Sequence, residues 1–128
     1  MELVLVGLPG SGKSAVGRRL ARARRAEFVD LDAAIEARAG APPAAIFERE
    51  GEAGFRAHEA AAIEALGPAD RGHPLTRVIA TGGGAVVAPR NRWRLFRDRR
   101  VVWLDASSEL LARRLERSPT PRPLLAGR

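Results

Sequence analysis

With 128 residues, 45% of them hydrophobic, the chain has apolar material for one compact core and too little for two, so a single domain over residues 1–128 is expected. The absence of cysteine excludes a disulfide frame and any thiolate-held zinc or iron–sulfur site. No apolar run approaches the length of a membrane span, and Glu2 stands directly before the first one where a basic signal region would lie, so a cytoplasmic protein with no membrane partner is expected.

The first such run, Leu3-Val4-Leu5-Val6, is continuous and ends at a glycine loop, the pattern of a strand buried on both faces of a parallel sheet. A helix follows from about Gly12. Its densest charge is Arg18-Arg19-Leu20-Ala21-Arg22-Ala23-Arg24-Arg25, where Val16, Leu20 and Ala23 keep the i, i+4, i+7 spacing of a buried stripe beneath the arginines. The net charge of +7 suits an anionic partner, but this run reads as a solvated helix face, and no nucleic acid is expected. Phe28-Val29 leads a second strand into Asp30-Leu31-Asp32, and a helix from Ala33 to Ala39 stops at Gly40. Pro42-Pro43 opens a helical piece through Ile46-Phe47, and another runs from about Phe55 to Leu66. Gly67-Pro68 and Gly72-His73-Pro74 punctuate a loop.

Val78-Ile79-Ala80 reads as a third strand running into Gly82-Gly83-Gly84, and Val101-Val102-Trp103-Leu104 as a fourth, with an arginine-rich helix from about Asn91 to Arg97 between them. Ser107 caps a further helix carrying Leu111 and Leu115, and the tail Arg117 to Arg128 has no periodicity. Strands alternating with helices predict a three-layer α/β sandwich around a parallel sheet, with ligands at the carboxyl ends of the strands. Those ends carry the Gly7 loop, Asp30/Asp32 and Gly82 to Gly84.

Gly7-Leu8-Pro9-Gly10-Ser11-Gly12-Lys13-Ser14 has the form G-x-x-x-x-G-K-S. Its glycines let the backbone N–H groups from Gly10 through Ser11 and Gly12 to Ala15 curl around a phosphate, while the lysine reaches the outer oxygens and the Ser14 hydroxyl meets a Mg²⁺. Lys13 is the one lysine among 22 lysine and arginine residues, and a planar guanidinium does not fit that cradle in the same way. Asp30 and Asp32 project the same way from a strand end, one toward magnesium and the other toward a substrate hydroxyl, or else Asp32 caps the helix at Ala33. The three glycines either form a tight turn or present N–H donors to a ligand. Arg56 pairs with Glu52 or Glu59, or offers its fork to a substrate carboxylate. Arg122 lies in a Pro-rich stretch from which it can swing over phosphates. His58 and His73 read as incidental, and Trp93, Trp103 and the four phenylalanines are expected in the core rather than as stacking platforms, with Phe47 and Phe55, which flank the Arg56 stretch, as exceptions.

In this order the motifs resemble shikimate kinases, small P-loop kinases of the nucleoside-monophosphate-kinase type. The matching pieces are Gly7 to Ser14 with Gly17 to Ala21, then Asp30-Leu31-Asp32, Ile46-Phe47, Gly51-Glu52, Phe55-Arg56 and Glu59. Ile35-Glu36, Ala80 to Val86 and Arg122-Pro123-Leu124-Leu125-Ala126-Gly127 complete the set. The resemblance implies a monomeric enzyme with ATP and shikimate as partners and Mg²⁺ as cofactor, moving the γ-phosphoryl group to the 3-hydroxyl of shikimate on the route to chorismate and aromatic amino acids. Carried over by position, Lys13 and Arg122 would stabilise the phosphoryl group, Ser14 would ligate Mg²⁺, and Asp30 would help hold the ion. Asp32 would engage the acceptor hydroxyl. Arg56 would take the shikimate carboxylate, helped by Glu59 and by Gly82, Gly83 and Gly84. Residues 33–66 would form the substrate-binding helical segment and residues 117–128 a partial lid.

Family members continue past this last motif with the rest of the lid, a second substrate-binding arginine, a fifth strand and a final helix. The expectation is therefore a kinase with its final strand and helix missing, an apolar edge at Val101 to Leu104, and better nucleotide binding than turnover. The alternatives are another P-loop kinase, acting for example on gluconate, or a non-catalytic nucleotide- or RNA-binding relic.

Overall fold

Alternating side chains on one central strand organise two apolar layers. The computed structural model describes residues 1–7, 12–81 and 88–104. In β1 (Glu2–Gly7), Leu3 and Leu5 face a cluster with Val16, Leu20 and Ala21, while Val4 and Val6 face the opposite one with Leu31, Ile35, Ile46 and Phe55. The first cluster belongs to α1 (Lys13–Arg24). The second belongs to α2 (Leu31–Ala39), α3 (Pro43–Ala65) and α4 (Pro89–Phe96), which together cover the other face. With β2 (Glu27–Asp30), β3 (Arg77–Ala80) and β4 (Arg100–Leu104), β1 forms a four-stranded, wholly parallel sheet in the order β2-β3-β1-β4. The three-layer α/β sandwich is as expected.

The connection from β1 to β2 skips one position in one direction, and that from β3 to β4 crosses β1 in the other. This reversal makes β1 and β3 the switch point, and their carboxyl ends, Gly7 and Thr81, are where such sheets open a crevice. Thr81 is buried there and ties the two ends together, since both its amide (3.1 Å) and its hydroxyl (2.9 Å) donate to the Leu5 carbonyl.

Several boundaries differ from the sequence expectation. The second strand ends at Asp30, and Leu31 and Asp32 already belong to α2, because the Asp30 carboxylate accepts from the Ala33 amide at 3.2 Å and starts the helix. Asp30, not Asp32, is therefore the cap, and the two carboxylates leave from a cap and a helical turn rather than from one strand. The two helical pieces after Pro42 run as one element bent at Gly51, whose φ of 73° and ψ of −175° are non-helical. On α1 the buried stripe continues through Gly17 and Ala21, while Ala23 is exposed. Trp93 (62% exposed) and Trp103 (55%) are surface residues: α4 turns Asn91 and Leu95 inward, and the period of β4 sends Val102 and Leu104 to the core. Gly10, Ser11, Gly82 to Gly84, Arg122, the helix expected after Ser107 and the lid expected at 117–128 lie outside the described residues. No helix among the described residues is long and apolar enough to cross a membrane.

Candidate active site

The chain enters α1 through Gly12, which takes the left-handed conformation (φ 82°) and whose carbonyl accepts from Val16 at 2.9 Å. That turn suits glycine, since a side chain there is strained. The next residue, Lys13, is only 7% exposed, and its ammonium donates to the Gly7 carbonyl at 2.7 Å, joining the start of α1 to the end of β1. Burial lowers the Lys13 pKa from its ordinary value, and the negative charge of Asp32 opposes that shift. Asp32 thus lies within electrostatic reach of the ammonium although it sits on α2.

Ser14, one residue on, donates its hydroxyl to Asp30 Oδ2 at 3.3 Å. Asp30 uses its other oxygen for the α2 cap, so capping fixes a carboxylate whose free side faces Ser14. Two hard oxygens at the start of α1 match the few protein ligands that Mg²⁺ takes when nucleotide phosphates and water supply the rest. Among the described residues there is no group of three His, Asp or Glu side chains able to hold an ion without such help. Ala15 is exposed in the first turn of α1.

Arg56 and Glu59 form a second group on α3. Arg56 Nη1 stands 3.3 Å from each Glu59 oxygen, and Glu59 is buried. Of the two helical partners expected for Arg56, the structure selects Glu59. The Phe47 and Phe55 rings stack at 4.6 Å and 17°, and the guanidinium lies 5.5 Å from the centre of the Phe55 ring. Only Nη1 is engaged, which leaves the Nε/Nη2 edge, the side that grips a planar carboxylate, without a protein acceptor among the described residues.

A family model for shikimate kinase matches residues 9–128. The chain belongs to the shikimate kinase family. It is 49% identical over 126 residues to a shikimate kinase of Synechococcus sp., covering 98% of this chain and 62% of the relative. To the shikimate kinase of Gloeobacter violaceus it is 50% identical over 127 residues, covering 99% of this chain and 68% of the relative. A solved shikimate kinase from Acinetobacter baumannii, in complex with shikimate, is 40% identical with a TM-score of 0.69, covering 91% of this chain and 62% of that one. The chain thus spans less than two thirds of the Synechococcus and Acinetobacter shikimate kinases, and the P-loop NTPase fold is shared over the matched part.

The structure therefore brings Lys13, Ser14, Asp30 and Asp32 into one group and Arg56 with Glu59 into another. Two participants were missed. Thr81 joins the two strand ends, and Asn91 on α4 donates to Glu59 Oε1 at 2.9 Å and to the Arg56 carbonyl at 3.1 Å. A signal for Asn91 was present in the sequence: it shares an i, i+4 face with buried Leu95, so it is the polar residue on the inward stripe of an arginine-coated helix.

Proposed function

We propose that this chain binds ATP and shikimate and transfers the γ-phosphoryl group to the 3-hydroxyl of shikimate. The observation that carries the reading is the convergence on buried Lys13 of the Gly7 carbonyl, the charge of Asp32 and the neighbouring Ser14–Asp30 pair, at the carboxyl end of β1. In the proposed reaction the acceptor oxygen forms a bond to Pγ, the bond between Pγ and the β,γ-bridging oxygen breaks, ADP leaves, and the hydroxyl proton is released. Asp32 orients that hydroxyl and accepts its proton. Lys13, with Arg122, offsets the negative charge on the moving phosphoryl oxygens.

Ser14 and Asp30 would hold Mg²⁺, which when bound with the nucleotide would supply charge neutralisation to its phosphates. Gly10, Ser11, Gly12, Ser14 and Ala15 contribute backbone donors to the phosphates. The helical segment 33–66 binds shikimate, with Arg56 on its carboxylate, Glu59 orienting Arg56, and Gly82, Gly83 and Gly84 lining the approach. The 40% identity to a protein solved in complex with shikimate supports that choice of acceptor.

The test is ATP- and Mg²⁺-dependent phosphorylation of shikimate by the 128-residue chain, with an ATP titration run alongside. Shikimate 3-phosphate is the expected product. Phosphorylation of gluconate in preference to shikimate, or ATP binding without phosphorylation of shikimate, would overturn the assignment of the reaction.

A further inference from the structure

The Arg56–Glu59 pair alone does not set its own geometry. Nη1 sits at 3.3 Å from both carboxylate oxygens, longer than the ~2.7–2.9 Å of a strong charge-assisted bond. The shortest hydrogen bond to that carboxylate comes from another element: Asn91 Nδ2 on α4 reaches Glu59 Oε1 at 2.9 Å. The second hydrogen of the same amide goes to the Arg56 backbone carbonyl at 3.1 Å. One side chain, 5% exposed, thus holds both the Arg56 backbone and the anion that the Arg56 side chain contacts.

We infer that Asn91 is a positioning residue: it orients Glu59 and, through it, aims the Arg56 guanidinium at the substrate carboxylate. This rests on the carboxylate-binding role proposed for Arg56. On the inward face of α4, one turn from Leu95, a leucine would satisfy packing without the cost of desolvating an amide. The amide at that site is matched by two acceptors belonging to the two residues of the site, and it bridges α4 to α3 there. Among the described residues Asn91 hydrogen-bonds Glu59 and Arg56 and not Lys13, Ser14 or Asp30, so its loss is expected to act on one substrate and not on the other.

The experiment compares wild type with Asn91→Leu, which fills the space, and Asn91→Gln, which keeps the donor on a longer arm. Shikimate and ATP affinities are measured by calorimetry. The Arg56 Nε–H resonance, assigned by its loss in Arg56→Lys, is followed without ligand. In Asn91→Leu the resonance is expected to shift or broaden, shikimate affinity to fall by about tenfold, and ATP affinity to stay within about twofold. In a Glu59→Gln background the same substitution should add little, because both changes act through one carboxylate. Asn91→Gln should recover part of the affinity, and it carries the comparison if the leucine variant does not fold. An unchanged Arg56 resonance, equal losses for the two ligands, or full additivity with Glu59→Gln overturns the inference. Should wild type bind ATP but not shikimate, the proposed function fails, and the ligand-free resonance still decides the role of Asn91.

Discussion

Lys13 has an experimental advantage that follows from composition. As the one lysine of the chain, it gives a single signal when lysine side chains are labelled at Cε, with no assignment needed. Its folded-state pKa lies below the ordinary 10.5, chiefly through burial, with Asp32 pulling the other way. Between the folded and unfolded values the unfolded chain binds more protons, so this group makes stability rise with pH through that window, and its burial cost is fully present below it. Asp32→Asn removes the opposing contribution, so the Lys13 midpoint should move further down. A midpoint that stays in place or rises would place Asp32 away from the ammonium. The same geometry predicts that Lys13→Ala lowers phosphoryl transfer by about 10²–10³-fold, the scale of losing one charge-stabilising donor. Lys13→Arg should not restore it, since a planar fork cannot enter the loop as an ammonium does. Steady-state assays of the two variants against wild type check both statements.

At the scale of elements, the sequence was most legible where the chemistry is local. Gly40 ends α2 in the left-handed conformation, and Pro42-Pro43 marks the start of α3, as expected. The apolar pattern of β2 continues two residues past its end, because Leu31 looks like a continuation of Phe28-Val29, whereas the cap made by Asp30 already begins the helix. Gly51 was harder to place, since a glycine between two helical patterns fits a loop as well as a bend. Its φ of 73° with ψ of −175° falls in a region that residues with a Cβ avoid, and nothing lies within 4 Å of where a Cβ would be. The cost of substitution is therefore purely one of backbone. Gly51→Ala should lower stability by about 1–3 kcal/mol, seen as a shifted urea midpoint with an unchanged slope. Because the bend lies between the stacked Phe47 and Phe55, shikimate affinity should fall with it. Normal stability in Gly51→Ala would mean that the bend is not required.

At the scale of the whole molecule, the order of the strands and the partners of buried charges were not legible, because both depend on residues far apart in the chain. In the sequence Glu2 is marked only by standing ahead of the first apolar run, and nothing sets Arg77 and Arg99 apart from the other arginines. In the fold they meet at the amino ends of the strands. Glu2 accepts from Arg99 Nε at 2.7 Å and from the Asp70 amide at 3.0 Å, with Arg77 at 3.6 Å. Arg99 also donates to the carbonyls of Leu95 and Gly67, both at 3.1 Å, so one guanidinium links β1, the end of α4 and the turn after α3. The Glu2 and Arg99 side chains are 4% and 3% exposed, so removing this cation leaves a buried carboxylate with only the Asp70 amide and the more distant Arg77, at a cost of up to about 3–5 kcal/mol. Against a typical domain stability of about 5–15 kcal/mol, such a loss is large. Arg99→Ala should therefore melt well below wild type. The cluster stands about 17 Å along β1 from Gly7, taking ~3.3 Å per residue, so ATP affinity measured below the melting transition should be unchanged. A variant that melts like wild type would show that solvent reaches the pair, and one that loses ATP affinity while folded would show that the two ends of the sheet are coupled.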